Sequence, residues 1–229
     1  MRRMVYQWLD HEFVALSAEG RPGLETAEQT RDVFQRLDAE LRGLGLSLDS
    51  TVRTRLWGRD RESRDLGSTE RVRTLSGRAR SASSSYIAPE FFESDARVAV
   101  ELWAMRPSRR DAEKALVEYD PPIVPLRYLG YDGVIVLSGV TAVLPTLADQ
   151  MADILPRIQG SLADAGASWD DVAKASFFLH RSQSLDELRR LFGESVDAAI
   201  PQMEYSFVDG YSSEGKFIEI EVTAVAPSR

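Results

Sequence analysis

The first 60 residues show two hydrophobic patterns, one typical of strands and one typical of a helix. Apolar stretches at 4–9 and 13–17 flank a polar tip and predict a β-hairpin. Thr26 is the predicted N-cap of a helix, with Gln29 as its capping-box partner. Apolar residues at three- and four-residue spacing give this helix one buried face: Val33, Leu37, Leu41 and Leu44. The alternation at 51–57 predicts another half-buried strand.

The remainder of the first half is less regular. Residues 58–77 are dense in Arg, Ser, Asp and Glu, and the pattern leaves open a short helix or a mobile loop. Residues 79–87 and 97–104 are predicted strands. Prolines at 121, 122 and 125 mark a linker after them.

The second half repeats this plan with clearer periodicity. The predicted strands lie at 126–129, 134–138, 172–179, 204–208 and 216–226, and the predicted helices at 147–165 and 185–199. Pro156 interrupts the first of these helices and is expected to kink it. Each half therefore has the order β-β-α-β-α-β-β, which predicts an α+β fold with helices backing a mixed sheet.

The two halves align without a gap over 13–59 and 134–180. The matching pairs, each 121 positions apart, include Ser17 and Ser138, Gln29 and Gln150, Gly45 and Gly166, Ser47 and Ser168, and Asp49 and Asp170. Such self-similarity predicts a tandem duplication. We expect one domain at 1–106, a linker at 107–122 and a second domain at 123–229.

Composition narrows the possible chemistry. There is no Cys, so disulfides and thiolate catalysis are excluded, and two histidines make a zinc site improbable. We therefore predict neither metal nor cofactor. With no apolar run long enough to cross a membrane and no signal-peptide pattern, a cytoplasmic location is the expectation.

An Arg-rich segment at 53–80 is the strongest charge feature in a chain of net charge −8. It could bind a polyanion. Acidic residues are interleaved with the arginines, and this mixture favours a solvated, salt-bridged face. We do not expect a nucleic-acid partner, because the chain as a whole is acidic.

The second half resembles the Rid (YjgF/YER057c/UK114) family of reactive-intermediate deaminases, and the first half does so more weakly. The resemblance is carried by Ser138-Gly139, Gln150, the turn at 165–168, Pro201 and the closing strand at 218–221. It implies two Rid-like (chorismate-mutase-like) domains, a homo-oligomer with a trimer favoured, and small-molecule clefts between neighbouring domains.

In that family an Arg after a Pro-x pair binds the substrate carboxylate, and a Glu on the last strand positions water. Here the second half has Met203 where that Arg is expected, whereas Arg80 keeps the place in the first half. Glu219 matches the functional Glu; the first half has Ala99 there, with Glu101 two residues on. The resemblance thus implies Glu219 and Glu101 as catalytic candidates.

For substrate binding, the resemblance implies Arg80, Ser17, Ser138 and Gly139, with one cleft combining Arg80 from one half and Glu219 from the other. The implied activity is hydrolysis of a small carboxylated imine or enamine, or related chemistry in a specialised biosynthetic pathway. Because neither half holds a full set of family residues, a non-catalytic ligand-binding or scaffold protein is the alternative.

Overall fold

The computed structural model describes residues 1–109 and 111–226. Arg110 of the predicted linker and residues 227–229 of the predicted second domain lie outside them. The first half forms five strands and two helices: β1 (Arg2–Trp8), β2 (His11–Glu19), α1 (Thr26–Gly43), β3 (Thr51–Gly58), α2 (Arg61–Thr74), β4 (Ala82–Ile87) and β5 (Val98–Arg106). The order β-β-α-β-α-β-β matches the prediction.

The second half repeats this order and adds two short strands. Its elements are β6 (Ala115–Val117), β7 (Tyr128–Tyr131), β8 (Val134–Leu137), β9 (Val140–Thr141), α3 (Leu147–Asp164), β10 (Val172–His180), α4 (Leu185–Ser195), β11 (Gln202–Val208) and β12 (Ile218–Val225). Strand β6 lies within the predicted linker and pairs with β7, so part of that stretch belongs to the second sheet.

Each half builds its own mixed sheet. The first has the strand order β1-β2-β5-β3-β4, and the second β11-β10-β12-β8-β7-β6, with β9 paired to β12. Only β3–β4 and β10–β11 are parallel among these pairs. Alternation along β5 and β12 sends apolar side chains to the helices on one face, where each half has its own core.

Equivalent residues make equivalent hydrogen bonds in the two halves, as a duplication predicts. Buried Gln29 and Gln150 each donate to a loop carbonyl before their helix and accept from the backbone N–H of Arg97 or Phe217. Gln29 is therefore not a capping-box partner, and the N-cap of α1 is Glu25 rather than Thr26. Each helix ends before a Gly of positive φ, +71° at Gly45 and +77° at Gly166.

Two features left open or uncertain by the sequence are settled. The stretch after β3 is a 14-residue helix, α2, capped by Asp60, whose side chain accepts from Ser63 N at 2.8 Å. Helix α3 continues through Pro156 as one element.

The two halves pack through the sheet faces that their helices leave open, and we call this contact the seam. Apolar side chains from both halves form two clusters there: Phe13, Val52, Ala82 and Met105 with Leu129, Val134 and Val136, and Trp57 and Tyr86 with Phe178, Val208 and Tyr211. Among the described residues, no helix is both long and apolar enough to span a bilayer.

Candidate functional site

A buried ionic network joins the halves at the centre of the seam. Alternation along β3 points Arg53 and Arg55 toward the second half. Arg55 Nη2 donates to Glu221 Oε2 at 2.9 Å, to Glu204 Oε2 at 3.1 Å and to Ser176 Oγ at 3.1 Å. Although burial raises the pKa of Glu221, Arg53 and Arg55 hold it below its usual range. Buried charges persist only when paired in this way, so the network fixes how the halves meet.

The sequence interpretation of the Arg-rich segment as a solvated face is wrong for its most important members. Arg53, Arg55 and Arg71 are buried, whereas Arg73 and Arg78 are exposed as expected. The strand alternation of β3 and the helical spacing of α2 decide which arginines face inward.

Beside this network a cleft of about 230 Å³ opens along the seam, and we call it the seam cleft. The first half contributes α2 and β4, the second half contributes β12 and the loops at 139–141 and 212–216, and residues 119–125 form one rim. The charged side chains in its wall are Arg64, Arg71, Arg157, Lys216 and Glu219. Four cations therefore surround one carboxylate.

Glu219 is the acid of the seam cleft. It lies on β12 two residues before Glu221, on the same sheet face, and is 6% exposed. Burial, with a smaller contribution from Glu221, raises its pKa to about 7, although Lys216 and Arg64 oppose the shift. A carboxyl group with this pKa can both donate and accept a proton near neutral pH.

Arg71 is the most unusual cation of the cleft. It is 4% exposed, and among the described residues its hydrogen-bond partners are a carbonyl and a hydroxyl rather than a carboxylate. Its guanidinium donates to the Ser84 carbonyl and to Ser68 Oγ at 3.3 Å. Burial, together with the neighbouring Arg64, lowers its pKa to about 10. A buried guanidinium without a counter-ion is a ready binding point for an anion.

The other cations are partly compensated. Arg64 donates from Nε to Ser85 Oγ at 2.9 Å and pairs with Asp65 at 2.6 Å. Arg157 pairs with Asp153 at 2.8 Å. Lys216 Nζ donates to Ser212 Oγ, and burial lowers the pKa of this lysine. The wall remains positive even after these pairs are considered.

Three of the predicted site residues come together at the cleft. Gly139 lies against the Glu219 carboxylate so closely that a Cβ on it would sit 1.9 Å from Glu219 Oε1. Ser138 is fully buried, and its hydroxyl accepts from Ser83 N across the seam at 3.1 Å. Ser138 therefore links the two halves, and the absence of a Cβ on Gly139 leaves room for the Glu219 carboxylate.

The other three lie elsewhere. Arg80 pairs with Glu118 and lines an adjoining hollow of about 290 Å³ that shares Arg71 with the seam cleft. Glu101 accepts from the Trp57 indole at 3.0 Å and lines a different hollow. Ser17 lines a further hollow, beside Arg2 and Ser94. Burial raises the pKa of Glu101.

Sequence reasoning missed the cationic wall. Arg64, Ser68 and Arg71 are spaced i, i+4, i+7, which places them on one face of a helix. That signal was readable only once 61–74 was taken as a helix. The contributions of Arg157 and Lys216 depend on long-range packing and had no local signal.

Comparison with solved structures identifies the fold. The alignment with a chorismatase covers 94% of this chain and 75% of the chorismatase chain, at 18% identity and a TM-score of 0.66. A YjgF/YER057c/UK114 family member from Mycobacterium tuberculosis covers 49% of this chain and 99% of its own at 21% identity and a TM-score of 0.43. Escherichia coli TdcF with bound serine covers the same shares at 20% identity and 0.44.

No family model and no curated protein matches the sequence. The tandem Rid-like fold predicted from the sequence is confirmed by its two repeated halves and by the near-complete overlap with the chorismatase. The likeness extends to the fold alone.

Proposed function

We propose that this chain is a Rid-like enzyme that hydrolyses a small carboxylated substrate with a protonatable C=C or C=N bond, such as an enamine or imine. The substrate binds in the seam cleft. One observation carries the proposal. Buried Arg71, whose hydrogen-bond partners among the described residues include no carboxylate, lies in the same cleft as Glu219, whose pKa is about 7.

In this proposal Arg71 binds the substrate carboxylate, since an Arg fork matches a carboxylate bidentately. Arg64 and Lys216 add positive charge that holds the anion in the cleft. Arg80, one hollow away, is a second anion contact for a longer substrate. Glu101 and Ser17 line other hollows, so the acid role falls to Glu219 alone.

The reaction on an enamine would begin with protonated Glu219 giving its proton to the terminal carbon of the C=C bond. The product is an iminium, and Glu219 is left as a carboxylate. Water adds to the iminium carbon while Glu219 takes one of its protons. The resulting carbinolamine expels ammonia and leaves a keto acid, and Glu219 ends protonated again, so acid and base roles alternate on one group.

The test is whether the protein speeds ammonia release from enzymatically generated 2-aminoacrylate above the rate measured without it. Glu219→Gln should lower kcat by about 100-fold or more, the usual scale of general acid–base catalysis. Arg71→Met should raise KM more than it lowers kcat. Arg78→Met, an exposed arginine outside the cleft, is the matched control and should behave as wild type. No turnover by wild-type protein would reject the enamine substrate.

A second candidate, hydrolysis of an enol ether in a dicarboxylate such as chorismate, is favoured by the surplus of cations in the cleft. One substrate carboxylate would bind at Arg71 and another at Arg157 or Lys216. Release of pyruvate from chorismate, lost in Glu219→Gln, would support it. Saturable binding of both substrates with turnover of neither would favour the non-catalytic alternative.

The resemblance also implies a homo-oligomer, with a trimer favoured. Light scattering on the purified protein distinguishes one, two and three chains of 25.6 kDa.

A further inference from the structure

A second cavity of about 230 Å³ lies between the two sheets and shares no wall residue with the seam cleft. We call it the sheet cavity. Its mouth lies between the edge strands β1 and β11, where Gln7 and Gln202 line it and are exposed. A cavity of roughly 150 Å³ already holds a benzene ring, so this one has room for a substituted ring.

The apolar part of the wall is aromatic. Tyr6, Trp8, Phe13 and Trp103 line the cavity, and the Trp8 ring packs edge-on against Phe13 at 5.2 Å between centroids. The Arg55 guanidinium lies 4.8 Å from the Trp103 ring centroid and holds this indole in place. Such a wall favours a flat unsaturated ring, because aromatic pairs gain energy beyond the area they bury.

The polar part of the wall is cationic. Arg53, Arg55 and Lys174 line the cavity and Glu221 is the one carboxylate in its wall. Two further carboxylates reach these cations from other sides: Glu204 binds Arg55 and lies 3.0 Å from Lys174 Nζ, and Glu101 lies 3.8 Å from Arg55.

Lys174 is the most accessible cation of this wall. Its side chain is 30% exposed, whereas that of Arg53 is 8% exposed and Arg53 Nη1 already pairs with Glu221 Oε2 at 2.7 Å. The Lys174 ammonium has three donors and can therefore bind a ligand carboxylate while it keeps its contact with Glu204.

We propose that the sheet cavity is a second binding site, for a small aromatic carboxylate. The ring packs among Tyr6, Trp8 and Trp103, and the carboxylate accepts from Lys174 Nζ. The site stands independently of the activity in the seam cleft.

The test is a titration of the full-length protein with benzoate, followed by the ¹⁵N–¹H signals of the indoles. Signals of Trp8 and Trp103 should move saturably, while Trp169, which packs against the second-half core, stays fixed as an internal reference. Benzamide, which lacks the charge, and formate, which lacks the ring, should each bind about tenfold more weakly or worse. Equal binding of either would overturn the ligand class.

Variants locate the site. Lys174→Met should weaken benzoate binding about tenfold, the scale of one charge-assisted hydrogen bond. Lys216→Met in the seam cleft is the matched control and should leave it unchanged. The reverse result would assign benzoate to the seam cleft and reject the proposal.

Val136→Phe fills the sheet cavity from β8 and should abolish the shifts at both indoles. Should this variant not fold, the wild-type and Lys174→Met titrations decide alone. Unmoved Trp8 and Trp103 signals at millimolar benzoate would also reject the site.

Discussion

The two halves share a glutamate but differ in its cross-strand partner at equivalent positions of one strand pair. In the first half, Arg55 on β3 lies opposite Glu101 on β5; in the second, Ser176 on β10 lies opposite Glu221 on β12. Arg55 and Ser176 are 121 residues apart, and they contact each other across the seam at 3.1 Å. The first half thus supplies the arginine that the second half lacks, and Glu221 of the second half is its buried partner.

The same comparison explains why the seam cleft is one-sided. On α2 the buried Arg71 faces the seam cleft, whereas Phe192 on α4, the second helix of the other half, packs into the second-half core. Ala99 on β5 corresponds to Glu219 on β12. The first half contributes Arg71 and the second contributes Glu219, so a single cleft assembles from both.

Breaking the charge complementarity should have the largest effect. Glu221→Ala leaves Arg53 and Arg55 short of a buried partner and should lower the free energy of unfolding by about 3–5 kcal/mol. Glu118→Ala, which breaks the half-exposed pair with Arg80, should change it by less than about 1 kcal/mol. Urea denaturation measures both. Equal effects would mean that the network does not hold the halves together.

Titration of Glu219 should produce the next largest effect. Its pKa is about 7 in the folded protein against an ordinary value of 4.5, so the folded state binds this proton more tightly than the unfolded state. Stability from this group is complete below pH 4.5 and falls by roughly 3 kcal/mol as pH rises through 7.

Glu219→Gln removes that dependence. The free energy of unfolding of the variant, relative to that of wild type, should therefore increase as pH rises over this range. At pH 8 the variant should be the more stable protein. Denaturation at pH 4.5, 6 and 8 checks it. A constant difference between the two proteins would show that the Glu219 pKa is not raised.

A methyl group placed against the Glu219 carboxylate should have an intermediate effect. Gly139→Ala forces the Glu219 carboxylate to move and should cost about 1–3 kcal/mol while abolishing cleft chemistry. Gly160→Ala, in α3, where the added Cβ would meet Arg127 Nη2 at an ordinary contact distance of 3.8 Å, should instead stabilise by up to about 1 kcal/mol. Thermal unfolding of the pair compares a crowded and an open glycine. A harmless Gly139→Ala would contradict the close approach.

Arg80→Met should have the smallest effect. Its side chain is half-exposed and paired with Glu118, so stability should change by less than about 1 kcal/mol. KM should rise less than in Arg71→Met. A larger rise would make Arg80 the main anion contact, as the family resemblance implies.

The fold could be predicted from the sequence because its signals are local. The period of α1 and α3, the strand alternation and the glycines at 45 and 166 all act within a few residues. The N-cap of α1 was misassigned because residue type favours Thr26 over Glu25 as a cap. Gln29, the expected capping-box partner, is instead bonded to the Leu24 carbonyl and to Arg97 N, which no local pattern shows.

The site was predicted less completely because it forms between distant segments. Resemblance alone pointed to Glu219, Ser138 and Gly139. Burial of Arg71 depends on how α2 docks onto β3 and β4 and on how the second half closes over it. No local pattern encodes that closure, and charge density alone suggested the opposite, an exposed face.

Ionised Glu221 carries a consequence beyond holding the seam. Its negative charge, fixed there by Arg53 and Arg55, is one of the influences that make Glu219 a weaker acid. The proton affinity of Glu219 therefore depends on how closely the two halves pack at the seam. Any change that loosens this packing would lower the pKa of Glu219 and shift the pH optimum of the proposed activity downward before the fold itself is lost.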